Sequence, residues 1–145
     1  MMSAATLASL VFFVFTLIAA SAVEILGSLM HEFAEQAGIN PWVFAMVPAL
    51  LAMLFSLIVY QGAQRRIRRL GESVSRGILV MLFTWLSFAA LASSIWCPPS
   101  DFGSCLRDAV AVTGWIGGGP MLLVALGAGL LAGVLIIRRP KPRIE

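Results

Sequence analysis

A dense positive cluster, Gln64-Arg65-Arg66-Ile67-Arg68-Arg69 with Arg76 close behind, stands between long apolar segments. Lys and Arg near the ends of membrane spans resist translocation, so a connection this basic predicts which way every flanking helix points. It belongs in the cytoplasm. A second basic group, Arg138, Arg139, Lys141 and Arg143, falls at the C-terminal end, and of the 10 Lys and Arg only Arg107 lies elsewhere. Both groups are expected to face the cytoplasm and the anionic headgroups there. Arg65, Arg66, Arg68, Arg69, Arg76, Arg138 and Arg139 therefore read as topology and lipid-contact residues, not as a nucleic-acid surface, despite the net charge of +3.

The segments between these groups demand a membrane. The chain is 60% hydrophobic and 12% charged, with a mean hydropathy of +0.96, against roughly a quarter charged in a soluble domain. Four spans of about 20 residues each use more than half of the 145 residues, which leaves no room for a separate soluble domain. The expected fold is an all-α integral membrane protein of one domain. It is a four-transmembrane-helix bundle, multi-pass in a bacterial inner membrane, with N and C termini cytoplasmic.

The first span is expected over residues 4–30, where no charge precedes Glu24. Ala20-Ser21-Ala22 has the small-residue pattern of a signal-peptidase site, but no basic residue precedes the run, and the segment reads as the first helix. Gly38-Ile39-Asn40-Pro41 predicts a turn. The second span then covers 42–60, bracketed by Trp42 and Tyr60 as interfacial aromatics, with Pro48 expected to kink it. The third is expected over 77–96, after a basic cytoplasmic loop at 61–76. In the last part of the chain, 106–115 reads as a short surface helix and Gly117-Gly118-Gly119-Pro120 as a break. The fourth span covers 120–137, with Pro120 in its first turn. Within it Ala125, Gly129 and Gly133 recur every four residues, a small-residue stripe on which another helix can pack closely. The outer loops, 31–41 and 97–119, hold Glu32, Glu35, Asp101 and Asp108 against only Arg107.

The most informative polar pattern begins in the first helix. Ser21, Glu24, Ser28, His31 and Glu35 are spaced 3, 4, 3 and 4, so an unbroken helix lines them on one face, over some 20 Å at about 1.5 Å per residue. Glu24, Ser28, His31 and Glu35 are the candidate proton or ion site, because a carboxylate inside hydrocarbon pairs, protonates or lines a cavity. The bland alternative is a wetted carboxylate at the outer boundary. His31-Glu32-x-x-Glu35 lacks the second histidine of the zinc-protease pattern, and no other histidine exists, so no metal and no cofactor are expected. Cys97 and Cys105 are the only cysteines. Both fall on the side where disulfides persist, and a structural bridge is the favoured reading. The four-helix membrane thiol oxidases carry a close Cys-x-x-Cys pair and further cysteines, which this chain lacks.

Glu24-Ile25-Leu26-Gly27-Ser28 resembles the first helix of the small multidrug resistance transporters, in which a membrane glutamate followed by a glycine and a hydroxyl residue exchanges protons against a cationic substrate. The resemblance covers these five residues and implies such a role for Glu24, with Gly27 and Ser28 beside it. The glutamate comes later in its helix than in that family, the arginine loop is longer, and the cysteine loop has no counterpart there.

No catalytic constellation stands out, and the expected function is non-enzymatic. The chain is read as acting through contacts with other membrane protein subunits or with further copies of itself, as an accessory subunit or a membrane inhibitor of the immunity type. The alternative is a proton-coupled small transporter or channel that uses Glu24 and works as an oligomer. A thiol-redox or metal protein ranks third.

Overall fold

The computed structural model describes residues 2–26, 31, 34, 35, 37–63 and 67–138. Among these it is all-helical. Four long helices follow one another: α1 (Ala4–Leu26), α2 (Pro41–Val59), α3 (Leu70–Trp96) and α4 (Phe102–Ile137), with a single 3-10 turn at Pro99–Asp101. All four are long and apolar enough to cross a membrane. α1 packs on α2 and α4, and α3 packs on the same two helices. Chain neighbours are thus neighbours in space, and α4 closes the ring back onto α1.

The local chemistry explains where the helices begin and end. Before α2 the backbone stops as a Schellman motif: Gly38 takes a φ of +66°, its N–H bonds Glu35 O at 3.0 Å, and the Ile39 N–H bonds Ala34 O at 2.9 Å. Asn40 then caps α2, its side-chain oxygen accepting the Trp42 N–H at 2.9 Å, with Pro41 in the first turn where no donor is missed. α3 starts at Leu70, seven residues ahead of the expected 77. The reason is Glu72, whose carboxylate accepts the Arg68 N–H at 2.7 Å and the Arg69 N–H at 3.4 Å, so the end of the basic connection is itself wound into the helix start.

α4 departs furthest from the sequence reading. It is one helix of 36 residues, and neither a separate helix at 106–115 nor a break at Gly117–Pro120 is present. Proline removes one intrahelical bond and glycine lowers propensity, but neither ends a helix whose neighbours hold it on both sides of the defect. At about 1.5 Å per residue α4 is roughly 54 Å long, against a hydrocarbon core of about 30 Å, so it tilts or projects beyond one.

The first residues of α1, the α2–α3 connection and the last turns of α4 meet at one end, where Ala4, Ala8, Ala63, Ile67, Ala132 and Ile136 share a buried cluster. We call this the terminal end. Phe44, Phe88 and Trp96 stack at the opposite, disulfide end, with ring centroids 5.2 and 5.6 Å apart around Phe44. Tyr60, expected as an interfacial aromatic, is instead fully buried. Its ring packs 5.8 Å from that of Phe12 and its hydroxyl donates to Ser73 O at 2.7 Å. Trp42, the other bracket, is 58% exposed.

Candidate functional site

The Schellman stop holds Glu35 one turn beyond His31, and α1 presents Glu24 below them. The imidazole lies between two carboxylates: His31 Nδ1 is 3.5 Å from Glu24 Oε1, and His31 Nε2 is 3.3 Å from Glu35 Oε1. These are ion pairs when the ring carries its second proton. The three groups differ sharply in exposure. Glu35 and His31 have most of their side-chain surface in solvent, whereas Glu24 keeps only 6%. Its second oxygen, Oε2, is buried and has no hydrogen-bond partner among the described residues.

One imidazole thus links a buried carboxylate to an exposed one. Of the sequence-derived set, Glu24, His31 and Glu35 stand next to one another. Ser28 lies outside the described residues.

The remaining candidates fall in three places. Cys97 and Cys105 are joined by a disulfide with a Cα separation of 5.9 Å, tying the end of α3 to the first turn of α4. Ala125, Gly129 and Gly133 face α3 within the same chain. A Cβ on Gly129 would stand 3.1 Å from Val74 Cα, and one on Gly133 would stand 2.8 Å from Ser73 Cβ. Arg68, Arg69 and Arg138 are exposed at the terminal end, while Arg65, Arg66 and Arg139 lie outside the described residues.

Arg76 does more than mark topology, since its guanidinium donates to Val59 O at the C-terminal end of α2, where unpaired carbonyls and the helix dipole favour a cation. Close to it lies a polar network the sequence reading missed. The Ser73 hydroxyl donates to Gly129 O at 2.8 Å, and the Tyr60 hydroxyl lies 3.2 Å from the Ser73 hydroxyl, so α2, α3 and α4 are joined around one serine. The usable signal was Ser73 itself, at i−4 from Gly77 on the face of α3 that meets the α4 stripe.

No protein-family model, curated protein or solved structure matches the chain.

Proposed function

We propose that this chain is a four-span inner-membrane protein, with both termini and the Arg68–Arg76 region on the cytoplasmic side, that works through contacts with other membrane proteins or further copies of itself. The observation that carries the reading is the closure of the terminal half. Among the described residues, Phe12, Tyr60 and the contact of Gly77 with Ala125 fill the space between the helices of this half, which supports a bundle that acts by its surfaces. Trp115 is the most favourable contact point, a tryptophan 91% exposed on the flank of α4, and large aromatics dominate contact energies. A photo-reactive phenylalanine analogue in place of Trp115 is expected to cross-link a discrete protein, either another subunit or a second copy. Lipid adducts alone would end the partner reading. Tags on each terminus should be cleaved only by protease inside the cell; cleavage from outside would reverse the orientation.

One observation favours a second reading, a proton-coupled transporter assembled from several copies: the buried carboxylate of Glu24, one oxygen of which has no partner among the described residues, joined through His31 to the exposed Glu35. Glu24→Gln keeps the shape and removes the charge. Under this reading it abolishes proton-coupled uptake in vesicles while oligomer size and helix content stay unchanged, and a fully active variant removes the reading.

A further inference from the structure

Among the described residues, the disulfide half of the bundle is not filled. A cavity of about 330 Å3 opens between all four helices, with Ala20 from α1, Pro48 from α2, Met81 and Trp85 from α3, and Ile116 and Met121 from α4 among its walls. Both prolines that lie inside helices, Pro48 and Pro120, line it.

The wall chemistry decides what it can hold. Four hydroxyl side chains reach the cavity, and each already gives its proton to the protein. Thr84 donates to Val80 O at 2.8 Å, Ser93 to Ala89 O at 2.7 Å and Thr113 to Ala109 O at 2.6 Å. Thr16 points at Met81 Sδ at 3.9 Å. Trp85 spends its indole N–H on Thr113 Oγ1 at 2.9 Å. With these groups satisfied, the walls offer an occupant almost only apolar contact. Water would lose hydrogen bonds there: an apolar cavity of about 150 Å3 in another protein stays dry and takes up benzene. This cavity is about twice that size.

We propose that it holds one acyl chain of a bilayer phospholipid, the bundle serving as a lipid-binding site as well as a span; the inference rests on the membrane reading above. An alkyl chain is narrow and flexible enough to enter, and it is what surrounds the exposed leucines and isoleucines of the flanks. Val112 on α4 is half-exposed and part of the wall.

Tryptophan fluorescence can test this, because Trp85 and Trp96 line the cavity whereas Trp42 and Trp115 do not. The Trp42→Phe/Trp115→Phe variant of the full chain is reconstituted in phosphatidylcholine carrying brominated acyl chains. Its emission should be quenched at least twofold relative to unbrominated vesicles. Ala109→Phe, which fills the cavity, should remove most of that quenching, and Ile116→Ala, which enlarges it, should deepen it. Quenching unchanged by both variants means contact with surrounding lipid only and overturns the proposal, as does quenching by aqueous iodide in place of bromine. If Ala109→Phe fails to give a folded protein by circular dichroism, the Ile116→Ala arm alone decides: deeper quenching supports the proposal and unchanged quenching overturns it. The parent chain is the control for the membrane reading, since bromolipid that leaves Trp42 and Trp115 unquenched shows that reading to have failed first.

Discussion

At the terminal end α3 and α4 approach so closely that a Cβ on Gly77 would stand 2.6 Å from the Ala125 carbonyl oxygen, whereas at the disulfide end the four helices surround a cavity of about 330 Å3. The residue types account for the contrast. Ser73, Gly77, Ala125, Gly129 and Gly133 let backbones meet, and the gain is dispersion contact plus hydrogen bonds such as Ser73 to Gly129 O. Toward the other end the facing positions are Trp85, Phe88, Ile116 and Met121, with a proline in each of α2 and α4, and bulky side chains hold the helix axes apart. Close approach serves rigidity, and separation leaves room for a guest. The ties differ accordingly: backbone approach and the Ser73 hydrogen bonds join the terminal end, and a covalent bridge, a ring cluster and the Trp85–Thr113 hydrogen bond join the disulfide end.

The contrast is broken most severely at Gly77. Gly77→Leu forces a branched side chain against the Ala125 carbonyl and Gly129 Cα. It should cost about 3 kcal/mol or more, read as a lower midpoint of unfolding in mixed micelles by helical circular dichroism. A midpoint equal to the parent's would show that the two helices do not meet there. Next in size, Cys97→Ser opens the only cross-link of the disulfide end and is expected to cost about 2–3 kcal/mol. Hydrogen exchange should speed up over the first turns of α4 while the terminal end keeps its protection. Tyr60→Phe comes third. It leaves the buried Ser73 backbone oxygen without its tyrosine donor, at about 1–2 kcal/mol, and uniform loss of protection through both ends would contradict the division drawn between them.

How much of this was legible in the sequence depends on the range of the interaction. Four long apolar helices follow from run length, a property of each segment alone, while the spacing singled out Glu24, His31 and Glu35, whose contacts only the structure gives. The start of α3 was hidden because an arginine occupies the cap position, where a serine, threonine or aspartate would have announced Glu72 three residues on. Pro120 was misread because a proline punctuates a helix unless its neighbours hold the helix together, which the local sequence does not reveal. Tyr60 shows the same limit from another side. A tyrosine at the end of a span suits an interface or a buried acceptor equally well, and Ser73 on another helix decides between them. The cavity lies beyond sequence reading altogether, since it is a gap between elements that each look well packed alone.

The smallest effect gives the sharpest comparison, because one substitution made at two places on α4 should change sign. At Gly129 an added methyl would stand 3.1 Å from Val74 Cα and 3.4 Å from Ser73 O, backbone atoms that move only if α3 moves. Gly129→Ala should therefore destabilise the bundle by about 1 kcal/mol. At Gly118 a Cβ meets nothing within 4 Å, so only the backbone preference acts, and alanine is the better helix former because it loses less chain entropy on folding. Gly118→Ala should stabilise by about 0.5–1 kcal/mol, measured in the same unfolding experiment. If both substitutions stabilise, the terminal end is looser than its geometry implies. If both destabilise, the middle of α4 depends on the flexibility that its glycines supply, and continuity of the helix through Pro120 is held against a local preference to break.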